Sequence, residues 1–62
     1  MLTMNDVSKI EAGTLTLADV SRLEEAPETR DVGYHLRVQM FAMNTKVRHP
    51  VVQAAIDAAR AV

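Results

Sequence analysis

The sequence contains no cysteine and no tryptophan, and it has only two Gly, two Pro, one Phe and one Tyr among its 62 residues. Without cysteine the chain can form no disulfide and matches almost none of the known zinc-site patterns. The composition also provides no sign of an oxidising compartment. Because aromatic residues are so few, the core must be aliphatic, built from Leu, Val, Ile, Ala and four Met.

Long apolar runs are absent as well. No stretch approaches the roughly 18 apolar residues that a membrane-spanning helix needs. The N-terminus lacks the basic segment followed by an apolar run that marks a signal peptide. We therefore expect a cytoplasmic protein that binds no membrane.

The chain is short for a domain without a covalent cross-link. A chain of this size buries only about 60% of the surface that its unfolded form exposes, so its stability as a monomer is marginal. With 48% hydrophobic residues and a net charge of −1, it does not have the composition of a disordered segment. Association with another chain is the remaining means of stabilisation, and we expect a homodimer.

The small net charge conceals an asymmetry between the two halves. Residues 1–31 carry seven acidic and three basic residues, a net charge of −4, whereas residues 32–62 carry one acidic and four basic residues, a net charge of +3. This division favours either folding of one half onto the other or head-to-tail pairing of two chains.

A ten-residue pattern occurs twice, with the copies thirteen residues apart. Residues 2–11 (LTMNDVSKIE) and 15–24 (LTLADVSRLE) are identical at six positions. Each copy has a Thr suited to a helix N-cap and, three residues later, an Asp that completes a capping box; these pairs are Thr3 with Asp6 and Thr16 with Asp19. The pattern predicts helices over about 4–12 and 17–25, and Gly13 is suited to end the first.

The next segment has two overlapping periodicities. Residues 34, 36, 38 and 40 are apolar and alternate with polar ones, which is typical of a half-exposed strand. Apolar residues also recur at helical spacing, at Val32, Leu36, Met40, Met43 and Val47. Because a lone strand needs a partner from another chain, we favour a helix over about 28–48, in which Pro27 occupies the first turn. An intermolecular strand over 33–41 is the alternative.

An alanine-rich segment predicts a further helix over about 50–62, preceded by His49, which is a poor N-cap by residue type. The expected fold is therefore all-α, with three to four short helices in one domain spanning 1–62. Self-association is expected to complete this hairpin or bundle.

The helix over 28–48 has two apolar faces, of which a small hairpin can cover one. Burial of both faces within a four-helix monomer is the alternative to an interface. Met40, Phe41 and Met43 are of a kind that can repack against varied partners. The predicted partner or oligomer interface comprises Val32, Leu36, Met40, Phe41, Met43 and Val47, with a basic rim of Arg37, Lys46 and Arg48.

Catalytic patterns are not found. On one continuous helix His35 and His49 would lie about 21 Å apart, too far to share a metal or act as a pair. Asp31 is placed to form a surface ion pair with His35. There is no nucleophile elbow, phosphate-binding loop or paired-carboxylate spacing. We expect no enzymatic activity, no cofactor and no metal.

One segment resembles a DNA-binding motif. Residues 6–13 (DVSKIEAG) followed by 15–23 resemble the recognition helix and the next helix of Cro/repressor-type helix-turn-helix domains, over about 18 residues. This resemblance implies DNA binding. However, the two helices that precede the recognition helix in such domains do not fit upstream of residue 4, and the acidic N-terminal half repels phosphate.

The function that we expect is that of a non-catalytic protein–protein interaction module: an adaptor, an inhibitor or an assembly subunit. Self-association is expected to run through the middle helix. The alternative is a small DNA-binding regulator or antitoxin-like repressor, which would contact DNA through Arg37, Lys46 and Arg48 rather than through the resembling segment.

Overall fold

The computed structural model describes residues 1–42 and 48–62. Within these ranges the chain forms four helices and no strand: α1 (Met4–Ala12), α2 (Leu17–Glu25), α3 (Arg30–Ala42) and α4 (Pro50–Arg60). The all-α prediction is confirmed. The alternative of a strand over 33–41 is wrong, because these residues are helical. The part of the predicted helix over 43–47 lies outside the described residues.

Helices α1 and α2 begin with the same capping box. The backbone N–H of Asp6 donates to Thr3 Oγ1 and the backbone N–H of Thr3 donates to Asp6 Oδ2, both at 3.1 Å. Thr16 and Asp19 repeat this exchange at the start of α2. At the end of α1, Gly13 has a left-handed backbone with φ 72°. Both helices have the bounds that the repeat predicts.

Helix α3 begins two residues later than predicted. Residues 27–29 form a turn in which the backbone N–H of Thr29 donates to the carbonyl of Ala26 at 3.1 Å. The buried Thr29 hydroxyl donates to the carbonyl of Leu23 at 2.6 Å, which ties this turn to the end of α2. Pro27 therefore lies in the connection rather than in α3. At the other end, Arg48 is not helical, so the predicted continuation to residue 48 is also wrong.

Helices α2 and α3 form an antiparallel hairpin with close backbone approach. A Cβ added at Gly33 would lie 2.8 Å from Cγ and 3.0 Å from the backbone nitrogen of Glu24. Glycine at this position therefore lets the backbones approach, although it lowers intrinsic helix stability by about 1 kcal/mol relative to alanine.

Helix α4 packs against α3 and α1 and closes the core. Its first turn is capped by His49, whose Nδ1 accepts the backbone N–H of Val51 at 3.1 Å. The expectation that His49 is a poor cap is thus wrong here. The core is aliphatic, and its members are Leu2, Val7, Val20, Leu23, Val32, Leu36, Val52, Ile56 and Ala59.

Ion pairs connect the positive half of the chain to the negative half. Arg37 on α3 pairs with Glu24 on α2, and Arg60 on α4 pairs with Glu11 on α1. Of the two arrangements that the charge asymmetry favours, the described chain shows the folding of one half onto the other.

Candidate interaction surface

The outward face of α3 carries a row of exposed apolar side chains. Tyr34, Val38 and Phe41 follow one another at helical spacing and are 57%, 48% and 73% exposed. These three residues are called the α3 stripe. Their spacing of four and three residues places them on one side of the helix, opposite the side that enters the core.

The residues of the interface predicted from sequence differ in how far this chain buries them. Val32 and Leu36 are only 6% and 5% exposed, because they belong to the core that α2 and α4 cover. Met40 is half-buried and packs against the same core. These residues offer little or no surface to another chain. Of the predicted set, Phe41 is exposed, while Met43 and Val47 lie outside the described residues.

The predicted basic rim is largely engaged within the chain. Arg37 donates from Nη2 to Glu24 Oε1 at 2.6 Å and to the hydroxyl of Ser21 at 3.2 Å. The hydrogen bond with Glu24 raises the pKa of Arg37, although partial burial opposes the rise. Arg48 donates to Gln53 at 3.1 Å, and Lys46 lies outside the described residues.

The apolar surface continues from α3 onto α2. Leu17, which is 50% exposed, lies one turn before Ser21, and Phe41 lies one turn after Arg37. Because Ser21 and Arg37 are in contact, the antiparallel register places Leu17 and Phe41 at the same end of the hairpin. The interface predicted from sequence does not include Leu17.

Two exposed charges lie at the N-terminal end of the α3 stripe. Arg30 and Asp31 begin α3, and neither forms an ion pair with any residue for which side-chain contacts are described. The predicted ion pair between Asp31 and His35 is therefore not formed. This end of the stripe carries charges that remain available to another chain.

The two histidines lie together. The rings of His35 and His49 are stacked with centroids 3.8 Å apart and an interplanar angle of 11°. The predicted separation is wrong because His35 and His49 do not lie on one helix: His35 is in α3, and His49 is the N-cap of α4, which packs against α3. The ring of Tyr34 lies edge-on to His35 at 5.2 Å. Since the nitrogen lone pairs lie in the ring planes, two nearly parallel stacked imidazoles do not converge on one metal ion.

The segment that resembles a helix-turn-helix motif uses its basic side chains internally. Arg22 donates to Asp6 at 2.6 Å, and Lys9 lies 3.4 Å from Asp19. Burial opposes the ionisation of Asp6, but hydrogen bonds from Arg22 and Thr3 outweigh it and lower the pKa of this carboxyl. Lys9 on α1 and Arg22 on α2 thus each form an ion pair with an aspartate of the other helix. These ion pairs compete with any binding of DNA phosphates.

Comparison of the chain with protein-family models, curated proteins and solved structures finds no match in any of the three. Among the described residues, no helix combines the length and the apolar character needed to cross a bilayer.

Proposed function

We propose that this protein is a non-catalytic protein-binding module whose α3 stripe pairs with the α3 stripe of a second copy. The observation that carries the proposal is the exposure of Tyr34, Val38 and Phe41 on one face, with Phe41 at 73%. A cytoplasmic setting, which the cysteine-free composition favours, belongs to the same proposal.

The total surface area bears on whether the core needs a second chain. The structure exposes 4184 Å², and a compact monomer of this mass is expected to expose about 4,000 Å². Because the two values are close, the core is already closed by the chain itself. The surface that another chain can cover is therefore the outward apolar face and not an unfinished core.

The available area predicts a weak dimer. A Phe or Tyr side chain offers roughly 150–250 Å² when fully buried. With the observed exposures, the α3 stripe and Leu17 together provide roughly 400 Å² per chain, or roughly 800 Å² for a pair. Stable interfaces bury about 1,200–2,000 Å² in total. The apolar residues alone therefore provide less buried area than a stable interface needs, and flanking residues must supply the remaining area. We therefore expect the dimer to have a micromolar or weaker Kd.

An antiparallel arrangement suits the charges at the end of the stripe. A two-fold axis between Tyr34 and Val38 places each Tyr34 opposite Val38 of the other copy. It also brings Arg30 within reach of the Phe41 ring of the other copy, where a cation–π contact can form. A parallel arrangement would place Arg30 against Arg30, and like charges in proximity are unfavourable.

Analytical ultracentrifugation over a dilution series tests the proposal. We expect reversible dimerisation of the wild type and a monomeric Phe41→Asp variant. Met4→Asp is the matched control, because Met4 is an exposed apolar residue on α1 and an acidic residue in a first helical turn is tolerated. This control should dimerise like the wild type.

A dimerisation free energy of about −4 kcal/mol corresponds to a Kd of about 1 mM, at which half of the chains are dimeric. A wild type that remains monomeric at about 1 mM would therefore overturn the proposal that a second copy binds the α3 stripe. Equal dimerisation of Phe41→Asp and the wild type would show that the α3 stripe is not the interface.

DNA binding has no supporting geometry among the described residues. Retention on a DNA column that falls steeply with salt would favour that alternative instead.

A further inference from the structure

Helix α1 is attached to the rest of the chain in a different way from the α2–α3 hairpin. In the hairpin the backbones approach so closely that a Cβ added at Gly33 would lie 3.0 Å from the backbone nitrogen of Glu24. By contrast, no Cα atom of α1 lies within 8 Å of a Cα atom of α2, and both helices are described over their whole length. The gap between α1 and α2 is therefore bridged by side chains.

Ion pairs provide these bridges. Among the described residues, two side-chain ion pairs join α1 to α2 and one joins it to α4; they are Lys9 with Asp19, Arg22 with Asp6, and Arg60 with Glu11. In all three pairs the basic side chain is more than a third exposed. Because dissolved salt screens charges that are in contact with solvent, these attachments weaken as the ionic strength rises.

The apolar attachment of α1 is small. Val7 and the preceding Leu2 are buried, and Ile10 is half-buried against the same core. The helix has nine residues, fewer than the roughly 12–15 at which an isolated helix is even marginally stable in water. Once its tertiary contacts are lost, α1 therefore unfolds instead of remaining as a free helix.

We propose that α1 is a salt-sensitive lid, which detaches from α2 and α4 as the ionic strength rises while the α2–α3 hairpin remains folded. Detachment withdraws Leu2 and Val7 and so uncovers the apolar side of the core against which they pack. The α3 stripe lies on the hairpin and is retained in the open form.

The hairpin survives this opening because its own contacts do not involve α1. The close approach at Gly33 is between α2 and α3, and the buried Thr29 hydroxyl donates to the carbonyl of Leu23 within the connection of these helices. Salt also screens the Arg37–Glu24 ion pair of the hairpin, but there the backbones are in direct contact. Local opening of α1 thus costs less than global unfolding, as is general for segments with few buried contacts.

Amide hydrogen exchange of the full chain tests the proposal, measured at a protein concentration below the Kd of dimerisation. The NaCl concentration is raised from about 0.02 to 0.5 M, over which the Debye length falls from roughly 20 Å to roughly 4 Å. Protection, corrected for the intrinsic exchange rate at each salt concentration, is compared between Ile10 in the middle of α1 and Leu36 in the middle of α3.

We expect Ile10 to be less protected than Leu36 at every salt concentration. We also expect the protection of Ile10 to fall at least about threefold more than that of Leu36 across the series, because three partly exposed ion pairs are screened together. Equal protection of the two amides, or parallel salt profiles, would overturn the proposal, because α1 would then open only when the whole chain unfolds.

A double variant assigns the salt dependence to the ion pairs of α1. Lys9→Gln with Glu11→Gln removes two of the three pairs and keeps the net charge, so Ile10 should be less protected at low salt and should lose most of its salt dependence. Glu25→Gln with Arg30→Gln is the matched control, because it neutralises an exposed acidic and an exposed basic residue outside α1. This control should retain the wild-type profile. Full salt dependence in the Lys9→Gln, Glu11→Gln variant would show that the ion pairs are not the cause.

Discussion

Arg22 holds Asp6 across the α1–α2 pair, with Nη2 2.6 Å from Oδ1 of a carboxylate whose side chain is only 3% exposed. The two residues occupy different copies of the ten-residue repeat. Lys9, at the position equivalent to Arg22, pairs in the opposite direction with Asp19, the equivalent of Asp6. The repeat therefore specifies two capping boxes and also two ion pairs that join α1 and α2 in opposite directions.

Removal of Arg22 should destabilise the fold more than removal of its repeat equivalent. In Arg22→Ala the buried Asp6 keeps its bonds from Thr3 but loses its cation, and we expect a loss of about 1–2 kcal/mol, reduced from the value for fully buried pairs because Arg22 is half exposed. Lys9→Ala is the matched control and should cost less than about 1 kcal/mol. Urea denaturation measures both, and equal losses would contradict the assigned role of Asp6 burial.

The pH dependence of stability at the acid end should depend on Asp6. Its folded-state pKa is lowered below the ordinary value of 3.8, so the carboxylate binds protons less readily when the chain is folded. Its stabilisation is therefore complete above that ordinary value and is lost as pH falls through the lower folded pKa. Asp6→Asn should be less stable at neutral pH and should show a shallower loss of stability below about pH 4. Unchanged steepness in the acid unfolding curve would rule out this contribution.

Gly33→Ala should have an effect opposite in sign to the one that helix propensity predicts. Propensity by itself predicts stabilisation by about 1 kcal/mol. The added Cβ would meet the Glu24 backbone nitrogen at 3.0 Å and the Glu24 side chain at 2.8 Å, which forces the helices apart, and we expect a net loss of about 1–2 kcal/mol. Thermal unfolding of this variant decides the sign, and a raised Tm would show that the hairpin can widen at little cost.

Thr29→Val should weaken the connection between α2 and α3. The substitution keeps the side-chain shape but removes the hydroxyl that donates to the Leu23 carbonyl from a buried position, and we expect a loss of about 1–2 kcal/mol. Thr14→Val, at an exposed position in the connection between α1 and α2, is the control and should change stability by less than about 0.5 kcal/mol. Chemical denaturation of both variants compares the two effects.

The parts of this fold that depend on near neighbours in sequence could be predicted without a structure. The capping boxes of α1 and α2 join residues three positions apart, and Gly13 ends α1 through its own backbone preference. Such contacts form wherever the local chain adopts the helix, so residue types and spacing are sufficient. For the same reason the starts of both helices follow from the repeat, and the end of α1 follows from Gly13.

Helix α3 shows where local information was insufficient. Its two apolar faces have similar residue types, and only the packing of α2 and α4 decides that Val32 and Leu36 enter the core while Tyr34, Val38 and Phe41 stay outside. The stacking of His35 on His49 likewise depends on the packing of α4 against α3. The sequence by itself determined the helical class, the caps and the charge asymmetry. Tertiary packing alone decided which face is covered and which distant side chains meet, because these depend on contacts between residues far apart in the chain.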